Sequence, residues 1–248
     1  MTLLSIENVN YQYQNQTGAL PTIAHISLSL AEKSTNVLIG PSGIGKTTLL
    51  TLIAGYLQPS SGVIKMHDQP VKGPSWQRCV VFQDMALYPW LSVRDNIIFG
   101  PKMRHQPYPE LANLLEKSGL NDYADQYIYQ LSGGLKQRVA LAQAFINHPP
   151  LLMMDESFGA LDNYTRAEMQ TLLFDLWEKA ENSLLFITHD IDEALYLGQH
   201  IMVMNGQPGT IQATYPNPFF RHGPEQTYHN PAYLKLRNQL LDLIKGQN

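Results

Sequence analysis

The sequence predicts an α/β fold, built on a mostly parallel sheet with antiparallel N-terminal strands and an inserted helical subdomain. Three observations point to it. Short apolar blocks recur at Val80-Val81-Phe82, Leu151-Leu152-Met153-Met154, Leu184 to Ile187 and Ile201-Met202-Val203-Met204, the composition of strands covered on both faces. Segments with helical apolar spacing lie between such blocks, an alternation that yields a parallel sheet with helices packed on it. The stretch Gly40-Pro41-Ser42-Gly43-Ile44-Gly45-Lys46-Thr47 fits the phosphate-cradling pattern G-x-x-x-x-G-K-[ST] of a P-loop.

In chain order, Leu3 to Val9 and Ile23 to Leu30 alternate apolar and polar residues, as half-buried strands do. Val37-Leu38-Ile39 then runs into the glycine-rich loop, and Thr48 to Ala54 leaves it with helical spacing. That is the strand–loop–helix setting the motif needs. Its glycines let backbone N–H groups turn inward around phosphate oxygens, and the helix start adds the positive end of a dipole. Lys46 is expected to reach the β- and γ-phosphates, and the Thr47 hydroxyl to sit on Mg²⁺. Gly40, Pro41, Ser42, Gly43, Ile44, Gly45 and Thr48 complete the expected nucleotide cradle. From about Leu87 to Asn147 the strand signal disappears. Pro89, Pro101, Pro107 and Pro109 interrupt this part, while Leu111 to Leu120 and Val139 to Ile146 have helical spacing. The expected division is therefore a core of residues 1–86 and 148–215, a helical subdomain at 87–147, and a C-terminal loop and helix at 216–248. Asn205-Gly206 supplies a tight turn, and Tyr233 to Ile244 reads as an amphipathic helix.

Composition narrows the partners. A chain of 248 residues with a 44% hydrophobic fraction can bury a sizeable core. The net charge of −4 and the lack of a basic run speak against nucleic acid. No apolar run reaches the roughly 18 residues of a membrane span, and the N-terminus lacks the features of a secretory signal. Cys79, the single cysteine, reads as a small buried hydrophobe in a reduced compartment. The histidines form no H-x-x-x-H pair, so no metal other than Mg²⁺ is expected.

Leu151-Leu152-Met153-Met154-Asp155-Glu156 is an apolar strand ending in two acids. At the C-terminal edge of a parallel sheet such acids face the ligand crevice. Asp155 is suited to Mg²⁺ and Glu156 to orienting or deprotonating a water for in-line attack on the γ-phosphate. A helix cap is the plainer role for an acid pair, but the glycine loop upstream favours chemistry. Leu131-Ser132-Gly133-Gly134 precedes a helix. On the residues alone, a simple helix start and a second anion site both remain open.

The Gly40 loop, Gln83 after Val80-Val81-Phe82, Leu131-Ser132-Gly133-Gly134, Asp155-Glu156, and His189 after Phe186-Ile187-Thr188 stand in the order of an ABC-transporter ATPase subunit. The chain resembles that family over nearly its whole length. The resemblance implies a P-loop core with a helical subdomain, two ATP molecules sandwiched in a head-to-tail homodimer, and Ser132, Gly133 and Gly134 binding the γ-phosphate held by the opposite copy. It implies that Gln83 touches Mg²⁺ and water and senses a membrane permease, and that His189 holds the γ-phosphate and the attacking water. Gly159-Ala160-Leu161-Asp162 resembles the loop that crosses the dimer interface. Tyr13 falls where the family stacks an aromatic ring on adenine, with Tyr11 as the competing neighbour.

Two positions depart from the family pattern: Ser157 stands where proline is usual, and Leu135 where glutamine is usual. Neither carries a phosphate or metal contact. Trp177 reads as core. Trp90, in Leu87-Tyr88-Pro89-Trp90, is either a permease anchor or subdomain packing. Gly73-Pro74, Tyr88-Pro89-Trp90 and Asp95 to Gly100 resemble the nitrate, sulfonate and taurine importer group, and Tyr127 to Gln130 with Met169 to Leu173 its taurine branch. The implied partners are integral membrane permease subunits and, indirectly, a periplasmic substrate-binding protein, with the chain peripheral on the cytoplasmic face of the inner membrane. Alternatives are a non-transport ABC ATPase, or an importer ATPase for nitrate or a thiamine-precursor-like substrate. A P-loop kinase or GTPase leaves Leu131 to Gly134 and His189 unexplained.

Overall fold

The computed structural model describes residues 1–13, 21–159 and 161–246. Ala160, part of the expected interface loop, lies outside them. The chain divides into two compact units, Met1–Arg78 with Ser183–Asn248, and Cys79–Asn182.

The N-terminal segment forms β1 (Thr2–Tyr11), β2 (Ile23–Ala31), β3 (Thr35–Ile39), α1 (Lys46–Ala54), β4 (Ser61–Met66) and β5 (Gln69–Pro70). The middle segment forms β6 (Arg78–Val81), α2 (Val93–Met103), α3 (Leu111–Lys117), α4 (Gly133–Phe145), β7 (Leu151–Asp155) and α5 (Asn163–Ala180). The last segment forms β8 (Ser183–Thr188), α6 (Ile191–Leu197), β9 (His200–Asn205), β10 (Thr210–Pro216), α7 (Pro224–Thr227) and α8 (Pro231–Lys245).

In the first unit, β2, β1, β4 and β5 make an antiparallel sheet in that order. Leu4 and Ile6 of β1 pair with Leu30 and Leu28 on one side and with Met66 and Ile64 on the other, so period-two apolar residues share a buried face. The second sheet of this unit runs β10-β9-β3-β8. All five residues of β3 are buried, and β3 pairs in parallel with both β8 and β9. The register Ile39↔Thr188 brings the ends of β3 and β8 level, and β9 runs two residues beyond its partner Val203. α1 buries Leu49, Leu50, Leu52 and Ile53.

In the second unit, β7 neighbours β6, and no strand lies between Val81 and Leu151. α4 buries Val139, Ala140, Leu141, Ala142, Ala144 and Phe145, and α5 buries Leu172, Leu173, Phe174 and Leu176. The helix expected over Leu111 to Leu120 stops at Lys117, because Gly119 turns with φ 63°. Trp177 is half-buried, its indole N–H donating to the Asn182 carbonyl at 2.7 Å. Cys79 is only partly covered, less than its buried-hydrophobe reading implied. Desolvation nonetheless pushes its thiol up to about 11. No described helix is long and apolar enough to cross a membrane.

Candidate active site

The first unit carries the glycine loop, a histidine and a tyrosine. Ile39 ends β3, and at Gly40 the chain passes so close to the Met204 carbonyl of β9 that a Cβ would collide with it. Gly45 takes φ 105° at the N-cap of α1, and a Cβ there would lie 2.6 Å from Ile23 Cγ2. A left-handed backbone under such crowding admits only glycine. Ser42 and Gly43 are exposed. The Lys46 ammonium folds back over the loop, donating to the carbonyls of Gly40 at 2.8 Å and Pro41 at 3.0 Å. Lys46 is 5% exposed, so both hydrogen bonds form in desolvated surroundings.

Thr47 and Thr48 open α1 and diverge. Thr47 is exposed in the first turn, whereas Thr48 is buried with its hydroxyl 3.2 Å from the Tyr13 phenol. The Thr48 side chain is thus engaged with Tyr13 beside the helix start. Tyr13 remains 41% exposed, and Tyr11 packs edge-on against it at 5.0 Å. Through Thr48, Tyr13 is bonded to the first turn of α1. Pro41, Ser42, Gly43 and Ile44 line a cleft of about 280 Å³ together with Asn205, Gly206 and Gln207.

His189 follows Thr188, the register partner of Ile39. The glycine loop and the histidine thus emerge from adjacent parallel strands at the same level, the edge where open α/β sheets bind ligands. His189 is exposed. The residues flanking it are fixed: Thr188 Oγ1 accepts from the Asp190 N–H at 3.0 Å, and Asp190 caps α6 by accepting from the N–H groups of Asp192 and Glu193.

The second unit carries the acids, the glutamine and the Ser-Gly-Gly motif. Asp155 ends β7, 8% exposed after four fully buried apolar residues. Glu156 is half-buried with φ 45°, a left-handed turn at the strand end that redirects its carboxylate. Ser157 clamps this turn. Its hydroxyl donates to the Val81 carbonyl at 3.2 Å, and its carbonyl accepts from Gln137 Nε2 of α4 at 2.9 Å. Where the family uses a proline ring, a serine hydrogen bond joins the acid turn to the strand leading to Gln83. Gln83 itself is exposed.

Ser132 caps α4, its hydroxyl accepting from the Leu135 N–H at 3.4 Å. The helix-start reading of that segment holds, and Ser132 and Gly133 stay exposed. A Cβ placed on Gly133 would meet no atom within 4 Å. Asp162 caps α5, accepting from the N–H groups of Tyr164 and Thr165 at 3.0 Å, contacts that hold its carboxyl below the usual carboxylate range. Trp90 is 68% exposed beside Tyr88, whose ring also packs on Phe99.

Sequence reasoning missed the residues that hold these groups. Asn96, 0% exposed, accepts from the Tyr88 N–H and donates to the carbonyls of Tyr88, Leu91 and Ser92, which fixes the loop displaying Trp90. The position of Asn96 at helical spacing from Val93, on the stripe shared with Ile97, was the available signal. Asp192 and Arg237, paired in the first unit at 2.8 Å, had none, because they are 45 residues apart.

Comparison with known proteins agrees with this geometry. The sequence profile of the family described as ABC transporter matches residues 23–159, more than half of the chain. A taurine import ATP-binding protein of Pseudomonas putida is 43% identical over 256 residues, covering 100% of this chain and 97% of its own. A solved component of an ABC transporter complex of Clostridium perfringens superposes with a TM-score of 0.78 at 26% identity, covering 98% of each chain. A dimeric bacterial ABC transporter cassette superposes with a TM-score of 0.75 at 25% identity, over 89% of this chain and 100% of that one.

Proposed function

The chain belongs to the ABC transporter family as an ATP-binding, ATP-hydrolysing subunit, and from that premise we propose that it powers import of a small anion, taurine before other sulfonates. The relative that is 43% identical along the whole chain is named for taurine import, which supports this substrate. The observation that carries the mechanism is the level emergence of the Gly40–Lys46 loop and His189 from paired parallel strands.

Lys46 gives up the Gly40 and Pro41 carbonyls for β- and γ-phosphate oxygens, while backbone N–H groups from Gly43 to Thr48 and the start of α1 hold the phosphate chain. Tyr13, fixed through Thr48, stacks on adenine. Thr47 of the first unit and Gln83 of the second, both exposed, and the largely buried Asp155 of the second offer a hydroxyl, an amide oxygen and a carboxylate, oxygen donors whose chemistry fits Mg²⁺. When bound, that ion neutralises charge on the β- and γ-phosphates. Glu156 accepts a proton from water as the water oxygen bonds to the γ-phosphorus and the bond to the β–γ bridging oxygen breaks. His189 donates a hydrogen bond to a γ-oxygen.

The site closes in a head-to-tail homodimer, with the partner subunit's Ser132, Gly133 and Gly134 on the γ-phosphate. The open space over Gly133 and the dimeric solved cassette support this arrangement. Trp90 and Tyr88 face integral permease subunits, which receive cargo from a periplasmic binding protein, and the ATPase sits peripherally on the cytoplasmic face of the inner membrane. The test is assembly with two candidate permease subunits in proteoliposomes, with a binding protein supplied. Taurine-stimulated phosphate release with matching taurine uptake supports the reading. Stimulation by nitrate or another sulfonate alone reassigns the cargo, and failure to assemble with any integral membrane subunit favours a non-transport ATPase.

A further inference from the structure

α8 makes two sets of contacts within the first unit, one at each end. Near its start, Tyr233 and Arg237 stand one turn apart and converge on Asp192 in the first turn of α6. The Tyr233 hydroxyl donates to Asp192 Oδ1 at 2.8 Å, while Arg237 donates through Nε to Oδ1 at 2.8 Å and through its second nitrogen to Oδ2 at 2.9 Å. A two-pronged guanidinium–carboxylate contact fixes orientation as well as distance. Tyr233 is itself 4% exposed and packs edge-on against Phe219. At the far end of α6, the Asn217 amide donates to the Leu195 and Gly198 carbonyls. At the far end of α8, the Asn205 amide donates to the carbonyls of Leu243 and Ile244, and Asn205 lines the cleft beside Pro41 to Ile44.

α6 has seven residues and follows His189 after a single capping residue, Asp190. Ile191, Ala194, Leu195 and Leu197 pack α6 into its unit, and the Asp192 contacts tie its first turn, three residues after His189. We propose that α8, acting through Arg237 and Tyr233 on Asp192, is a positioning element that sets His189 against the phosphate loop, so that the C-terminal helix is part of the hydrolytic geometry. This inference rests on the role given to His189 above. A misplacement of about 1 Å at a reacting group can cost on the order of a hundredfold in rate, and Arg237 supplies two of the three hydrogen bonds that Tyr233 and Arg237 give to the Asp192 carboxylate.

The test is a double-mutant cycle on the full chain. Turnover and KM for MgATP are measured for the parent, Arg237→Ala, His189→Ala and the double variant, each well below its melting temperature. Arg237→Ala is expected to lower kcat roughly five- to hundredfold with KM within about twofold, to add no further loss on His189→Ala, and to be partly rescued in Arg237→Lys. Should Arg237→Ala fail to fold, Tyr233→Phe runs the same cycle, because it removes one O–H and keeps the packed ring. Additive losses, or parental kcat in Arg237→Ala while His189→Ala is impaired, overturn the positioning role and leave the catalytic reading standing. Parental turnover in His189→Ala overturns both.

Discussion

Glu156→Gln exchanges one carboxylate oxygen for an amide nitrogen and leaves the outline of the side chain unchanged. The left-handed backbone at this position, φ 45°, costs glutamine the same as glutamate, since neither is glycine. Both clamps on the following residue also survive, Ser157 Oγ to Val81 and Gln137 to the Ser157 carbonyl. What is lost is proton acceptance, which is worth about 10²–10⁴ in rate, or about 2.7–5.5 kcal/mol of barrier. A disturbed turn that misplaced the side chain by about 1 Å would cost a comparable factor, on the order of a hundredfold. The two causes are therefore separated by nucleotide binding and dimer closure, which survive loss of the base but not a displaced turn. The assay is phosphate release at saturating MgATP, with nucleotide affinity measured in parallel and dimerisation followed by sedimentation. The variant is expected to bind ATP as the parent does and to accumulate as the closed dimer. Turnover within about twofold of the parent would refute the base assignment.

Three further outcomes are expected. Ser132→Arg puts bulk and charge on the open face at Gly133 without touching Lys46. It should bind nucleotide but neither dimerise nor turn over, and full-rate hydrolysis by a verified monomer contradicts the shared site. Trp90→Ala should leave the isolated subunit folded, because Asn96 holds that loop, while weakening permease assembly by roughly 2 kcal/mol or more; unfolding of the isolated subunit would make Trp90 core. Cys79, its thiol pushed up to about 11, should react with iodoacetamide at pH 8 about two orders of magnitude more slowly than in the unfolded chain. Its rate should climb as pH approaches that value, and fast labelling at neutral pH would contradict the desolvation.

The sequence was most legible where chemistry constrains residue type at short range. The P-loop, the acid pair after an apolar strand and the Ser-Gly-Gly helix start all fall where local rules place them. β4 and β10 were not anticipated: Ser61–Met66 opens on Ser-Gly with little apolar alternation, so its sheet partners decide its state, whereas Ile211, Ala213 and Tyr215 of β10 alternate and were a signal left unread. α2 was obscured by Pro101, which lies inside the helix without the backbone N–H that an i→i−4 hydrogen bond needs. The supporting contacts were invisible for another reason. Val81 with Ser157 and Asp192 with Arg237 are joined only by the folded chain, and no spacing rule links residues 76 or 45 apart.

The two carbonyls that receive the Lys46 ammonium make nucleotide capture an exchange of contacts. Burying a lysine without a partner would carry a heavy desolvation cost, and Gly40 and Pro41 relieve it beforehand. An incoming phosphate oxygen must match those bonds before it gains anything. A lone phosphate or sulfate ion brings too little besides, so the loop should resist occupation by abundant small oxyanions. In the proposed site, a triphosphate joined to an adenine stacked on Tyr13 would draw on several contacts at once. Selectivity against bare anions is thus set by what the empty loop already satisfies within itself.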